Sequence, residues 1–285
     1  MLWGIYTGPP HLRTRGIKQV PNAKDLDLSD VPTRILMVGP TGSGKTAQIH
    51  TLPGRKFAYI FDPNSLQTLR GLDLDYEEFM PEMVEMDATL KGFNKGARDD
   101  TPATKREPTL YNRWVEHLND FEESGEITEY DWMIFDSLTF LVKACMDRQL
   151  FINNRYGKIE DLSDYRVVGN KISTVFRTVT SIPINMFATG HLQVFQDDKT
   201  KKVETLLQLP GSSRNQLPLM FTDLWLAQAA SEGDELKFEI QTIPEKRGLQ
   251  TIRSSLNVKA KEDATIKNFA RAGEYGIGAI LKRQS

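Results

Sequence analysis

The sequence has a single cysteine, no long apolar run and almost no net charge. Cys145 is the only cysteine in 285 residues, so no disulfide can form within the chain, and no cysteine and histidine cluster has the spacing of zinc ligands. No run approaches the roughly 20 apolar residues of a membrane span. The apolar stretch at residues 1–6 is too short for the core of a signal peptide. We therefore expect a cytoplasmic protein with no membrane partner.

The charge balance excludes a histone-like polycation but allows a local binding groove for nucleic acid. Lysine and arginine number 36 and aspartate and glutamate 38, which gives a formal net charge of −2. Hydrophobic residues at 39% and charged residues at 26% are typical of folded globular proteins. Basic residues and prolines, without an acid before Asp25, dominate the start of the chain. Residues 1–30 are therefore predicted to form an extended basic arm.

A phosphate-binding loop is the strongest motif in the chain. The segment reads Gly39-Pro40-Thr41-Gly42-Ser43-Gly44-Lys45-Thr46, which matches G-x-x-x-x-G-K-[ST] at every constrained position. An apolar run precedes it, and a polar segment that can open a helix follows at residues 46–52. Backbone N–H groups of such a loop face phosphates, while Lys45 neutralises them and Thr46 offers a hydroxyl to Mg²⁺. The motif predicts that ATP and Mg²⁺ bind here.

Buried strands alternate with helical segments along most of the chain. Strand-like apolar runs occupy residues 34–38, 57–61, 132–135 and 184–189, and helical periodicity lies at 110–121, 138–150 and 165–180. This alternation predicts an α/β fold with a mostly parallel central sheet and helices on both faces. Shorter apolar runs after Gly190, at residues 219–226, 236–243 and 249–252, predict antiparallel strands on the C-terminal side. We expect a core at 31–256 and a loose tail at 257–285.

A carboxylate at the end of the third apolar run is the second candidate site residue. Asp136 follows Met133–Phe135, where a Walker B aspartate that holds Mg²⁺ would lie. Its alternative role is to cap the helix that starts near Ser137. Because Ser137 stands where many ATPases place a second acid, the group that activates water must lie elsewhere.

Three segments together resemble the RecA-like P-loop ATPase core: Gly39–Thr46, Ile134–Ser137 and Thr189–His191. The chain is most similar to phage-encoded ATPases of the Sak group, proposed single-strand annealing or recombination proteins, over roughly Val31 to Ser254. The resemblance implies a RecA-like fold and an ATPase that acts on single-stranded DNA in phage recombination or replication. It also implies a homo-oligomer in the host cytoplasm, with a single-strand-binding protein or another replication protein as partner.

The resemblance also implies where water is activated. Relatives end the second strand with an Ile-Asp-x-Glu-like motif whose glutamate polarises the attacking water. The matching residues here are Phe61-Asp62-Pro63-Asn64, so Asn64 takes the place of the glutamate. An amide can orient water but cannot accept its proton at neutral pH. Hydrolysis is then slow, or Asp62 substitutes, unless these residues form only a turn.

Further roles follow from the same resemblance. His191 matches a sensor of the γ-phosphate, although a histidine after a strand is also a common structural residue. Loops at 148–165 and 196–213 match the DNA-contacting loops, with Phe151 and Tyr156 as stacking residues; an ordinary solvated surface is the alternative. The candidate DNA contacts are Arg148, Arg155, Lys158, Lys199, Lys201, Lys202 and Arg214. A basic finger that reaches a neighbouring subunit has the candidates Lys246, Arg247 and Arg253.

Two other functions fit the phosphate loop. A nucleotide or small-molecule kinase would transfer the γ-phosphoryl group to a bound acceptor. Such kinases need an arginine-rich lid, and no compact lid is evident in the sequence, but Arg98 and Arg106 in the polar loop at 93–108 are candidates for one. An ATP-binding switch with little turnover is the second alternative, and the presence of Asn64 favours it.

Overall fold

The computed structural model describes residues 24, 31–82, 107–196, 203–233, 235–245 and 249–284. The contacts divide the chain into Met1–Val31 and Pro32–Ser285, and the fold described below belongs to the second unit. The predicted basic arm lies almost entirely outside the described residues. A helix with the length and apolar character needed to cross a membrane is absent from the described part of the chain.

A central sheet organises the described fold. Its strands are β1 (Arg34–Gly39), β2 (Lys56–Ile60), β3 (Asp75–Glu78), β4 (Trp132–Asp136), β5 (Asn185–Gln196), β6 (Val203–Leu207), β7 (Asp223–Glu232), β8 (Glu235–Gln241) and β9 (Lys261–Asp263). The order is β3-β2-β4-β5-β1-β7-β8-β9, and β6 pairs with the second half of β5. The six neighbouring strands β3, β2, β4, β5, β1 and β7 pair in parallel. The pairs β7–β8 and β8–β9 are antiparallel. The predicted α/β fold class is confirmed.

Helices cover both faces of the sheet. The α-helices are α1 (Ser65–Leu69), α2 (Leu110–Glu123), α3 (Leu138–Ile152), α4 (Leu162–Val179), α5 (Ser213–Gln216) and α6 (Gly276–Lys282). Short 3-10 helices lie at Thr46–Thr51, Glu126–Glu129, Leu217–Met220 and Phe269–Glu274. Helices α2, α3 and α4 pack on one face of the sheet, where Trp114 and Phe176 join the core. The 3-10 helix Thr46–Thr51, α1 and α6 cover the other face.

Burial on both faces explains why the central strands are continuously apolar. Ile35 to Val38 are fully buried in β1, and every residue of β4 is buried. Strands that are covered on both faces have no solvent side, so they lose the alternation of apolar and polar residues. These runs of uninterrupted apolar residues identified the strands correctly from the sequence.

The C-terminal segment differs from its predicted loose state. Ala264, Ile277 and Ile280 are buried in the second core cluster. Gln48 Nε2 donates to Ala264 O at 2.9 Å, and Gln48 Oε1 accepts the Ile277 N–H at 3.2 Å. The described part of 257–285 is therefore integral to the core. The expectation of a loose tail was wrong. The segment has few apolar residues, and they are buried against side chains that are distant in the sequence, so no local pattern predicted their packing.

Other local expectations also changed. The segment after the phosphate loop is a 3-10 helix rather than an α-helix. The predicted strand at 249–252 is not formed; next to it, an isolated bridge joins Leu224 to Arg253. The strand that was expected to start at Leu219 starts at Asp223, because Pro218 lies in a 3-10 turn.

Candidate functional site

The loop at residues 39–46 leaves the C-terminal end of β1. Gly42 and Gly44 have φ angles of +78° and +83°, which side chains strongly disfavour. A Cβ at Gly39 would lie 2.4 Å from the carbonyl oxygen of Ala227. Each glycine of the motif therefore meets a backbone or packing constraint in this loop.

Lys45 points back into the loop. Its Nζ donates to Gly39 O at 3.0 Å and to Pro40 O at 2.8 Å, and the residue is buried. Burial lowers the pKa of Lys45 to about 8, and the charges of Asp136 and Asp62 oppose this shift. The ammonium group thus lies desolvated among loop carbonyls, where a negative phosphate would stabilise its charged form.

ATP affinity is expected to fall as the pH rises through about 8. Lys45 loses its proton in that range, and bound phosphates would raise its pKa again, so binding takes up a proton. Equilibrium binding of ATP between pH 6.5 and pH 9.5 measures the effect. The matched control is Lys56→Met, which removes another buried lysine that donates to Leu52 O and Gly54 O. A flat profile in the wild-type protein would contradict the prediction.

Asp136 is a buried carboxylate that hydroxyl groups surround. Thr46 Oγ1 and Ser65 Oγ donate to Oδ2 at 3.0 and 2.6 Å, and Thr189 Oγ1 donates to Oδ1. Burial raises the pKa of Asp136, while these three hydrogen bonds lower it. The alternative role as a helix cap was wrong, because Ser137 occupies the N-cap position of α3.

The contact between Thr46 and Asp136 suits a magnesium ion. A hydroxyl and a carboxylate are hard oxygen ligands, and Mg²⁺ usually binds through one or two such groups together with phosphates and water. A cluster of three or more histidine, cysteine, aspartate or glutamate side chains that could hold a metal is absent from the described ranges. The residues present therefore fit a metal that arrives with its phosphates.

Asp62 lies beside this carboxylate. The N–H groups of Phe61 and Asp62 both donate to the backbone oxygen of Asp136, at 2.6 and 3.1 Å. The charge of Asp62 contributes to the pKa values of Lys45, Asp136 and His191. Asn64, in contrast, is exposed, and its N–H donates to Asp62 Oδ1 at 2.9 Å. Of the two candidates for water activation, Asp62 is the closer to the charged centre.

His191 lies opposite the start of the phosphate loop. It pairs in register with Gly39, and its N–H donates to Thr139 Oγ1 at 3.0 Å. Burial and the charge of Lys45 lower the pKa of His191, while Asp62 and Asp136 oppose the shift. The imidazole is therefore neutral at physiological pH and can both donate and accept a hydrogen bond.

The candidate residues of the first DNA loop differ in their surroundings. Arg148 forms an ion pair with Glu107, and Arg155 forms ion pairs with Asp161 and Asp164. Arg155 also donates to Ile159 O at 2.5 Å, so it holds the loop before α4 in place. Lys158 is exposed.

Most of the other basic candidates lie beyond the described residues or bind carbonyl groups. Lys199, Lys201, Lys202, Lys246 and Arg247 lie outside the described ranges. Arg214 donates from Nη2 to Leu209 O at 3.4 Å. Arg253 Nη2 donates to Pro218 O at 2.5 Å and to Phe221 O at 2.8 Å, which ties the segment before β7 to the bridge at residue 253.

Sequence reasoning missed three hydroxyl residues of the site. Ser65 and Thr189 bind Asp136, and Thr139 holds the backbone of His191. Thr189 lies within the third segment of the RecA-like resemblance, which was the available signal. Ser65 and Thr139 had no signal, because serine and threonine near the ends of strands are common in any loop.

The family comparison agrees with this geometry. Residues 31–262 match the family of AAA domains. The chain belongs to the AAA domain family. The flagellar accessory protein FlaH from Methanocaldococcus jannaschii is similar in structure, with 13% identity and a TM-score of 0.42 over 83% of this chain and 87% of that chain. No curated protein matches. This AAA domain is thus a nucleotide-binding P-loop protein of the ATPase type.

Proposed function

We propose that this AAA domain binds ATP with Mg²⁺ and hydrolyses it to ADP and phosphate while it holds single-stranded DNA. The observation that carries the ATPase part is the link between the two motifs: Thr46 Oγ1 donates to Asp136 Oδ2 at 3.0 Å, with Lys45 buried in the adjoining loop. Phosphate, hydroxyl and carboxylate oxygens would then meet at one point.

Each residue of the site has a separate role in this proposal. Backbone N–H groups of residues 39–46 bind the phosphates, and Lys45 neutralises charge on the β- and γ-phosphates. Thr46 and Asp136 would hold Mg²⁺, which supplies positive charge to the phosphate oxygens when bound. His191 would contact the γ-phosphate and transmit its presence along β5.

Asp62 is the proposed general base. It accepts the proton of the attacking water while the water oxygen bonds to the γ-phosphorus and the bond to ADP breaks. Among the residues that the structure describes, Asp62 Oδ2 makes no hydrogen bond, which leaves it available to a water molecule. Asn64 has no carboxylate and is exposed, so its part is at most to orient that water.

The DNA part of the proposal depends on β5. This strand carries Thr189, which donates to Asp136, and ends at Gln196; its second half pairs with β6. The residues between the two strands include Lys199, Lys201 and Lys202. One strand therefore connects the nucleotide to a basic segment, which supports coupling between ATP and a phosphate backbone.

The remaining parts of the proposal extend the resemblance to the Sak group. Lys158 and Arg214 add to the DNA contacts, whereas Arg148 and Arg155 are already paired with carboxylates.

Lys246 and Arg247 are the proposed finger residues toward a neighbouring copy in a homo-oligomer. Arg253 is less suited, because carbonyl oxygens already bind its guanidinium. The proposed setting is phage recombination or replication in the host cytoplasm, with a single-strand-binding protein or another replication protein as partner.

Phosphate release is expected to rise severalfold when single-stranded DNA is added to the protein with ATP and Mg²⁺. Binding of DNA should also weaken steeply with salt, because lysines that contact phosphates release counterions. The triple variant Lys199→Ala, Lys201→Ala, Lys202→Ala should lower both the stimulation and the salt slope. Steady-state phosphate release and DNA binding at a series of salt concentrations measure these effects.

The control variant removes the same number of positive charges as the test variant, but at another place in the chain. The triple variant Lys259→Ala, Lys267→Ala, Lys282→Ala removes three exposed lysines of the C-terminal segment. If both triple variants behave alike, the loop between β5 and β6 is not the DNA contact. ATP hydrolysis that never responds to DNA would contradict the DNA role and favour the switch, and phosphate transfer to a small acceptor would favour the kinase.

A further inference from the structure

The turn between β2 and α1 carries the proposed general base and is fastened to one residue of β4. Asp62 lies in this turn, which spans residues 61–65. At its start, the N–H groups of Phe61 and Asp62 donate to the backbone oxygen of Asp136 at 2.6 and 3.1 Å. At its end, Ser65 Oγ donates to Asp136 Oδ2 at 2.6 Å. Both ends of the turn therefore contact the same residue, the last one of β4.

The turn is also hydrogen-bonded within itself. The Ser65 N–H donates to Asp62 O at 3.1 Å, and the Asn64 N–H donates to Asp62 Oδ1 at 2.9 Å. Pro63, which lies between them, has a φ angle that its ring fixes. These contacts set the shape of the turn. The place of the Asp62 carboxylate therefore depends on how the whole turn is held against β4.

Ser65 supplies a buried side-chain hydrogen bond between the turn and β4. The residue is 2% exposed, whereas Asp62 is half-buried and both Pro63 and Asn64 are exposed. Water does not reach a hydrogen bond at this depth, so no solvent molecule takes the place of the hydroxyl when it is removed. We therefore expect the end of the turn to shift when this hydroxyl is lost.

Asp136 depends less on Ser65 than the turn does. Thr46 Oγ1 also donates to Oδ2, at 3.0 Å, and Thr189 Oγ1 donates to Oδ1. Without Ser65, each carboxylate oxygen of Asp136 still accepts one hydroxyl hydrogen. Of the hydrogen bonds that the described residues form between the turn and Asp136, only the two backbone bonds at the start would remain. Loss of the Ser65 hydroxyl should thus act on Asp62 more than on Asp136.

We propose that Ser65 is a positioning residue for Asp62. Its hydroxyl holds the turn against Asp136, so that the Asp62 carboxylate stays within hydrogen-bond reach of the attacking water, as a general base requires. This inference rests on the proposed role of Asp62 in ATP hydrolysis. Ser65 itself contacts neither the water nor the phosphates, and it acts through the residue three positions before it.

Ser65→Ala is expected to lower turnover about 10-fold to 100-fold, because a misplacement of about 1 Å can cost 100-fold in rate. ATP affinity should stay within about twofold of wild type, since a residue that acts only on the chemical step leaves binding unchanged. Ser65→Cys keeps nearly the same side-chain size but has only a weak donor, so it should lose turnover as well. Single-turnover phosphate release and equilibrium titration of ATP measure the two quantities.

A double-mutant cycle shows which carboxylate Ser65 acts on. In a protein that already carries Asp62→Asn, Ser65→Ala should cause no further loss of turnover, because the base that Ser65 positions is gone. Thr189→Ala is the matched comparison, since it also removes a hydroxyl donor from Asp136 but lies on β5, outside the turn. It should lower turnover by the same factor in the wild-type protein and in the protein with Asp62→Asn.

Ser173→Ala is the control for the loss of a serine hydroxyl away from the site. It removes a hydroxyl on α4 that donates to Gln216 Oε1 at 3.0 Å, and it should keep wild-type turnover. An equal loss from Ser65→Ala with and without Asp62→Asn would overturn the inference, and so would unchanged turnover in both Ser65 variants or a loss of ATP affinity alone. Wild-type turnover in Asp62→Asn by itself would remove the proposed general base, a separate result because Ser65 is unchanged in that protein.

Discussion

Replacement of Lys45 by alanine is expected to lower ATP turnover by at least about a hundredfold, the usual loss when a preorganised charged donor is removed from a reacting group. Lys45 is the buried cation of the phosphate loop, and its Nζ lies within 3.0 Å of Gly39 O. Without it, negative charge on the phosphates has no neutralising ammonium group. Steady-state phosphate release with Mg²⁺ measures turnover, and equilibrium titration measures ATP affinity.

The fold of the Lys45→Ala variant should stay intact. Burial disfavours the charged form of Lys45 in the free protein, as its lowered pKa of about 8 indicates, so the charge does not stabilise the nucleotide-free fold. Thermal unfolding without ATP should therefore remain a single cooperative transition near the wild-type temperature, because the two hydrogen bonds lost with Lys45 are offset by the relief of a buried charge. ATP should stabilise the wild-type protein but not the variant. Equal turnover and equal ATP affinity in the two proteins would show that residues 39–46 do not bind the phosphates.

Asp62→Asn should produce the second large effect, a loss of turnover of about 100-fold to 10,000-fold, which is the contribution typical of a general base. The amide has nearly the same shape as the carboxylate but cannot take a proton from water at neutral pH. ATP affinity should be retained or increased, because the substitution removes a negative charge that would repel the phosphates. Single-turnover kinetics separate the loss of chemistry from any change in binding.

Asn64→Ala is the comparison that separates the two candidates for water activation. Asn64 is exposed, and its hydrogen bond to Asp62 comes from the backbone, so alanine preserves that contact. We expect its turnover to stay within about threefold of wild type, the scale of a substitution away from buried contacts. A loss in Asn64→Ala together with normal turnover in Asp62→Asn would assign the role to Asn64 instead. Normal turnover in both variants would move the base to another residue.

The surroundings of Asp136 explain why the site was predictable only in part. Its position after an apolar run identified it from the sequence, because a buried parallel strand must end in the edge that carries the ligands. Ser65 and Thr189 reach the same carboxylate from two other parts of the chain. Their convergence depends on the strand order, in which β4 lies between β2 and β5. No local pattern of residues records that order.

Charge alone was a poor guide to the basic candidates. Arg155 and Arg253 have the residue type expected for DNA contact or for a finger toward a neighbour. In the structure, Arg155 forms ion pairs with two carboxylates. Arg253 donates to two backbone carbonyl oxygens, at 2.5 and 2.8 Å. An arginine guanidinium has five donors and can bind a protein carbonyl as readily as a phosphate. Which partner it meets is a matter of tertiary packing.

The sequence by itself determined the phosphate loop and the class of the fold. The loop at 39–46 is contiguous, its glycines meet local backbone demands, and the buried strands are apolar because both of their faces are covered. Tertiary structure alone decided that Asp62 lies beside Asp136, that the C-terminal segment packs on Gln48, and that Phe269 meets His50. These contacts join residues far apart in the chain, and their free energy is realised only when the sheet has brought them together.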